Sequence, residues 1–159
     1  MKKIYYTWQQ VEGACLDLSR QMVQDKWYPD YIVGLNRGGL VPANLISQYL
    51  DIPMATLMVS LRDGGIKVSD CGMAEDAYNG QNILIVDDIN DQGSTIAWIK
   101  QDWPGACLPN HAYWNEVWHK NVKFATLVDN TSSNEQVDYA ARVIDKSKKD
   151  IWIDFPWER

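Results

Sequence analysis

The sequence predicts a single α/β domain, residues 1–159, built on a largely parallel sheet. Three observations predict it. Short β-branched and apolar runs alternate with stretches of helical period, the strongest run ends in paired carboxylates, and no linker, repeat or low-complexity tract divides the 159 residues. A chain of this length buries about 69% of its unfolded surface, and 46% hydrophobic residues supply the core.

The elements follow in order. Thr7 and Gln10 form a capping-box pattern, and Val11, Cys15, Leu18 and Met22 recur at helical spacing, so a helix is expected over residues 8–24. Tyr31-Ile32-Val33-Gly34-Leu35, bounded by Pro29-Asp30 and Asn36, reads as a buried strand. The turn at Gly38-Gly39 leads into a helix over 41–50 with Pro42 in its first turn, and 54–61 reads as a second strand. Residues 62–80 hold four glycines and no sustained period, which marks a lid or a solvated surface loop. Residues 82–86 form the clearest strand, followed by a helix through about Lys100. Further strands are expected over 122–128 and 139–144, with an aromatic segment over 151–157.

Composition narrows the function. With 15 basic and 21 acidic side chains the net charge is −6, which argues against a general binder of nucleic acid or anionic membrane. No apolar run approaches the ~18 residues of a membrane span, and the start carries no signal-peptide pattern. Three cysteines without a CxxC spacing suit reduced thiols, so a cytoplasmic setting is expected.

The chemistry concentrates in Ile83-Leu84-Ile85-Val86-Asp87-Asp88-Ile89-Asn90-Asp91-Gln92-Gly93-Ser94-Thr95. Ligands of open α/β sheets bind beyond the carboxyl ends of strands, and here a buried strand delivers two carboxylates to that edge. Asp91 then opens a Gly-Ser-Thr turn at a helix start. Gly93 permits close approach, Ser94 and Thr95 offer hydroxyls, and the unpaired helix amides suit a phosphate. Asp87 and Asp88 suit Mg2+ or ribose hydroxyls, both of which prefer hard oxygen partners. Acids beside a phosphate cradle repel the ligand unless it alternates hydroxyls with phosphates, as a ribose 5-phosphate does. A lone Asp pair after a strand is commonly only a turn with a helix cap; the Gly-Ser-Thr continuation separates this case from that one. The glycine signatures of P-loop hydrolases and dinucleotide folds are absent.

The run from Val86 to Thr95 resembles the 5-phosphoribosyl-1-pyrophosphate (PRPP) motif of type I phosphoribosyltransferases, with Gln92 where threonine is usual. Asn36-Arg37-Gly38-Gly39-Leu40-Val41-Pro42 is similar to the pyrophosphate loop of the bacterial xanthine–guanine enzymes. Asp150-Ile151-Trp152-Ile153-Asp154-Phe155-Pro156-Trp157-Glu158 is similar to their purine-binding segment. The resemblance spans residues 36–158. It implies the type I phosphoribosyltransferase fold: three layers, α/β/α, with a small C-terminal hood over about 130–159 and a mobile lid over 62–80. It further implies transfer of the 5-phosphoribosyl group from PRPP to a 6-oxopurine (hypoxanthine, guanine or xanthine), with Mg2+ as cofactor.

By the same resemblance Asp91 is the general acid/base, and Asp87 and Asp88 hold the ribose hydroxyls, with Asp88 the metal ligand. Gln92, Gly93, Ser94 and Thr95 cradle the 5-phosphate. Arg37, Gly38, Arg62 and Lys67 contact pyrophosphate, Trp152 stacks on the purine, and the Ile153 backbone reads its edge. Where these enzymes carry a purine-reading lysine this chain has Asn130, whose amide suits a 6-oxo or a 6-amino group, so adenine stays open. A homodimer or homotetramer is expected, with no nucleic-acid or membrane partner. Two other readings stay open: a non-catalytic PRPP- or nucleotide-binding regulator, and a transferase for another nitrogen base.

Residues 102–121 are longer than the corresponding family connection. Tyr113, Trp114, Val117 and Trp118 form an apolar stripe that packs on the core or contacts another subunit. Cys107, His111 and His119 match none of the usual zinc spacings.

Overall fold

Five parallel strands form the central sheet of the computed structural model, which describes residues 1–59, 65–106 and 112–158. In chain order the elements are β1 (Lys2–Tyr5), α1 (Trp8–Asp25), β2 (Tyr31–Asn36), α2 (Leu40–Leu50), β3 (Met54–Met58), α3 (Cys71–Tyr78), β4 (Ile83–Asn90), α4 (Ser94–Ala106), β5 (Val122–Asn130), β6 (Tyr139–Ile144) and β7 (Ile151–Asp154). Short 3-10 turns cover Ala112–Glu116 and Pro156–Glu158. The sheet order is β3-β2-β4-β5-β6, and β1 pairs with β7 in a separate two-stranded parallel sheet, the hood.

Ile32–Leu35 of β2 and Ile83–Val86 of β4 are apolar without a break because both faces of the sheet are covered there. Successive side chains alternate sides. Ile32, Leu84 and Val86 pack with Val11, Leu18, Met22 and Ile46 on the α1–α2 side. Val33, Ile83 and Ile85 pack with Met73, Ile99 and Trp103 on the α3–α4 side. The result is the expected three-layer α/β/α arrangement. α1 starts where the capping box puts it: Gln10 N–H donates to Thr7 Oγ1 at 3.1 Å and Thr7 N–H to Gln10 Oε1 at 2.8 Å. It ends at Lys26 in the left-handed region, φ 56°. Its stripe is buried as the spacing requires, and burial pushes the Cys15 thiol up to about 12.

The structure corrects the sequence reading at several places, among them α4, which runs six residues past Lys100 to Ala106. Residues 62–80 are not wholly irregular, since α3 lies inside them. Asp70 caps it by accepting from Met73 N–H at 2.9 Å, and Met73, Ala74 and Ala77 bury its inner face. β1 had no signal of its own; its four residues gain a partner only in β7, at the other end of the chain. Both β4 and β5 run past their apolar cores, because the ladder continues through Asp87↔Thr126, Ile89↔Val128 and Asn90↔Asp129.

The aromatic stripe packs on the core. Trp114 and Val117 are buried, Trp118 stacks on Trp114 with ring centres 5.4 Å apart, and Trp103 lies 5.9 Å from Trp118. Cys107 and His111 lie outside the described residues, while His119 pairs with Asp138 at 3.0 Å. No helix among the described residues is long and apolar enough to cross a membrane.

Asp25 ties the end of α1 to the sheet. The Tyr139 hydroxyl donates to its carboxylate and Lys123 Nζ lies 3.2 Å away; together they hold the carboxyl below its ordinary range. A lowered folded value stabilises the protein above the ordinary carboxylate range, and that contribution is lost as pH falls through the lowered value. Asp25→Asn is therefore expected to lower the thermal midpoint more at pH 7 than at pH 3. Equal losses at both pH values would contradict this tie.

Candidate active site

The chain leaves β2 toward β3 on one side and returns to β4 on the other, so strand order reverses between β2 and β4. A crevice opens beyond the carboxyl ends of strands at such a switch point. Here it is a cleft of about 1090 Å³. Arg37, Gly38, Asp87, Asp88 and the whole of Asp91-Gln92-Gly93-Ser94-Thr95 line it. Two segments about fifty residues apart in sequence are thus joined in one place.

Contact between the two segments is tight. The turn after β2 begins with a cis Asn36–Arg37 peptide, and Gly39 N–H closes it by donating to Leu35 C=O at 2.9 Å. A Cβ on Gly39 would lie 2.1 Å from Val86 C=O and 2.8 Å from Leu35 N. A Cβ on Gly38 would lie 2.2 Å from Asp88 Oδ2. Only glycine lets this turn rest on the end of β4. Asp88 is buried there, with Oδ1 accepting from Ile89 N–H at 2.7 Å, and Asp87 Oδ1 accepts from Asp88 N–H at 2.9 Å. The backbone thereby aims both carboxylates.

The loop after β4 is braced from behind. Gly93 has φ +88°, and a Cβ there would lie 2.8 Å from Ser133 Oγ and 2.9 Å from Glu135 N. Asn90, buried, donates to Asp129 Oδ1 and Glu135 C=O, each at 2.9 Å, and accepts from Ser133 Oγ at 3.1 Å. The first bond inside α4 runs from Ala97 N–H to Gly93 C=O at 2.9 Å, so the amides before Ala97 have no helical acceptor and suit an anion. Asn36, Thr126 and Trp157 line the cleft, and Asn36 Oδ1, Thr126 Oγ1 and Trp157 Nε1 are buried without a hydrogen-bond partner among the described residues. Such orphaned atoms call for a polar ligand or ordered water.

The predicted base-binding residues stand beside this cleft, not in its lining. Trp152 is exposed on β7, and Ile153 is buried. At the ends of the β1–β7 ladder Lys2 N–H donates to Asp150 C=O and Tyr6 N–H to Asp154 C=O, each at 2.9 Å, so the even-numbered residues of β7 face β1 and the Ile153 peptide groups lie on the side away from it. Asn130 is buried and donates to Asp91 C=O at 2.7 Å. Lys67 is exposed, its backbone bridged to Val59, and it does not line the cleft. Arg62 lies outside the described residues.

Sequence reasoning missed Lys146. Its Nζ lies 3.0 Å from Asp91 Oδ1 and 5.8 Å from the Trp152 ring centre. No motif marks it, and with Lys148 and Lys149 beside it the run reads as solvated charge.

A doubly wound sheet whose switch point gathers paired carboxylates, a glycine turn and a hydroxyl-bearing helix start belongs to the class that handles sugar phosphates or nucleotides. The phosphoribosyl transferase domain family matches residues 1–158. A xanthine-guanine phosphoribosyltransferase of Idiomarina loihiensis is 27% identical over 161 residues, covering 99% of this chain and 88% of that protein. Another, of Cereibacter sphaeroides, is 33% identical over 132 residues, covering 80% and 68%. The crystal structure of a purine phosphoribosyltransferase from Pyrococcus horikoshii superposes with a TM-score of 0.69 at 28% identity, covering 100% of this chain and 95% of that one. This chain belongs to the phosphoribosyltransferase family, with the type I fold, and is a transferase.

The two glycines separate site from scaffold. Gly38→Ala meets the Asp88 carboxylate first, and displacing that group is expected to cut turnover about 100-fold with little change in thermal midpoint. Gly39→Ala meets backbone and is expected to destabilise the fold by about 3 kcal/mol in chemical denaturation. Equal stability of the two variants would contradict the packing described.

Proposed function

We propose that the protein transfers the 5-phosphoribosyl group from PRPP to a 6-oxopurine, giving the nucleoside 5′-monophosphate and pyrophosphate. One observation carries the reading: the Arg37-Gly38 turn, the Asp87-Asp88 pair and the Asp91–Thr95 loop line one crevice. Their chemistry matches pyrophosphate, ribose hydroxyls and 5-phosphate in turn. The relatives' xanthine–guanine and purine names support the class of base.

In this reaction the bond from the anomeric carbon to pyrophosphate breaks, and the leaving group takes the electron pair. The purine N9 forms the new bond to that carbon, while Asp91 accepts the proton that the base gives up at N7. Gln92, Gly93, Ser94 and Thr95 hold the 5-phosphate through amides and hydroxyls. Asp87 and Asp88 orient the ribose, and Arg37 with the Gly38 turn receives the departing pyrophosphate. The segment ahead of α3, with Arg62 and Lys67 on it, would serve as the lid that keeps water from the activated sugar, since α3 itself is packed on the core.

Mg2+ fits the donor set. Among the described residues no three His, Cys, Asp or Glu side chains converge as a closed metal cage. Mg2+ usually takes one or two protein carboxylates and completes its shell with phosphates and water. Asp88 would hold it, and the ion would neutralise charge on a polyanion entering a protein of net charge −6.

A panel of bases assayed with labelled PRPP and Mg2+ tests the reading. Hypoxanthine, guanine or xanthine is expected to yield nucleotide and pyrophosphate; PRPP binding without turnover on any base would overturn it in favour of a regulator. Asp91→Asn is expected to lower kcat by about 10²–10⁴-fold while leaving the Kd for PRPP unchanged. Undiminished turnover would contradict the role given to Asp91.

A further inference from the structure

We propose that Lys146 reads the 6-substituent of the base and commits the site to 6-oxopurines. This rests on the transferase reading above and names the residue that selects its acceptor. Asn130 stands where such a reader is expected from the resemblance, but its side chain is engaged elsewhere. It is 4% exposed. Its Oδ1 accepts from Ser132 N–H at 3.2 Å, Ser132 Oγ at 2.8 Å and Lys146 N–H at 2.9 Å, and its Nδ2 donates to Asp91 C=O at 2.7 Å. Asn130 is thus a brace that fixes the backbone of Asp91 and of Lys146 together.

The turn between β6 and β7 completes the delivery. The Asp145 carboxylate accepts from Ser147 N–H at 3.0 Å and Ser147 Oγ at 2.5 Å, and its C=O accepts from the amides of Lys148 and Lys149 at 3.2 Å each. Lys146 leaves this turn toward the site, with its side chain 21% exposed, whereas the Lys148 side chain is 82% exposed. The Lys146 ammonium then stands between the Asp91 carboxylate, at 3.0 Å, and the Trp152 ring, at 5.8 Å.

In the proposed pose, with the purine on Trp152 and N7 at Asp91, the 6-substituent adjoins N7 on the same edge, and the Lys146 ammonium, 3.0 Å from Asp91 Oδ1 and 5.8 Å from the Trp152 ring centre, is placed to reach it. On that edge a 6-oxopurine presents the O6 acceptor, whereas adenine presents an N6 amino donor. An ammonium has three donors and no acceptor. It bonds O6, and it faces an adenine amino group with nothing to offer. The Asp91–Lys146 pair is therefore the complement of an N7/O6 edge.

Steady-state kinetics of wild type and Lys146→Met on hypoxanthine, guanine and adenine tests this. The methionine keeps the backbone N–H that Asn130 holds and much of the side-chain length, but removes the charge. KM for the 6-oxopurines is expected to rise roughly 10- to 150-fold, the range for a lost hydrogen bond to a charged group. The oxo-to-amino preference should fall by the same factor, with KM for PRPP and the thermal midpoint little changed. Lys146→Arg should recover part of the preference, and Lys148→Met should behave as wild type. An unchanged preference in Lys146→Met, or an equal loss on oxo and amino bases, overturns the assignment. A wild-type enzyme that turns over 6-oxopurines yet favours adenine overturns this assignment alone; one that turns over no 6-oxopurine overturns the proposed acceptor class and the assignment with it.

Discussion

The turn after β2 rests so closely on the end of β4 that neither Gly38 nor Gly39 has room for a side chain, and every other feature of the cleft is arranged around that contact. It brings Arg37 and Asp88 to one crevice from strands that the chain visits about fifty residues apart. Parallel neighbours with helices on both faces fix the distance between the strands, and the reversal of strand order leaves the crevice open above them. With a net charge of −6 the protein has no general attraction for a polyanion. Recognition in the proposed reaction must therefore come from local donors and a metal ion.

The loop carrying Asp91 owes its shape to buried amides. Asn90 and Asn130 each bond to backbone and side-chain partners in the segment that follows β5, and Gly93 lies against Ser133 and Glu135. A buried polar group that finds its partners rigidifies a site, whereas one left without them costs stability. The braces are satisfied, while the cleft-lining residues Asn36, Thr126 and Trp157 each carry a buried atom without a partner among the described residues.

What could be read from the sequence was local. The β4 strand with its acids and the Gly-Ser-Thr turn form one continuous stretch, so its character survives without knowledge of the fold. The α1 stripe and capping box were legible for the same reason. α3 was hidden because eight residues containing Gly72 carry too little period to stand out, although the Asp70 cap and the Met73, Ala74, Ala77 spacing were present. β1 gains its partner only across nearly the whole chain, and polar residues at the ends of β4 and β5 concealed how far the ladder extends. Lys146 shows the limit most clearly. Its setting comes from Asn130 and Asp91, sixteen and fifty-five positions away, and no spacing rule links them.

Titration calorimetry of PRPP in the presence of Mg2+ bears most directly on the shared crevice, with wild type compared against Asp88→Asn. The substitution keeps the shape of the side chain beside Gly38 and removes its charge. The account predicts saturable binding heat in the wild type that is abolished or strongly weakened in the variant, with the fold intact by circular dichroism. Undiminished binding in the variant, or no heat in the wild type, would contradict it.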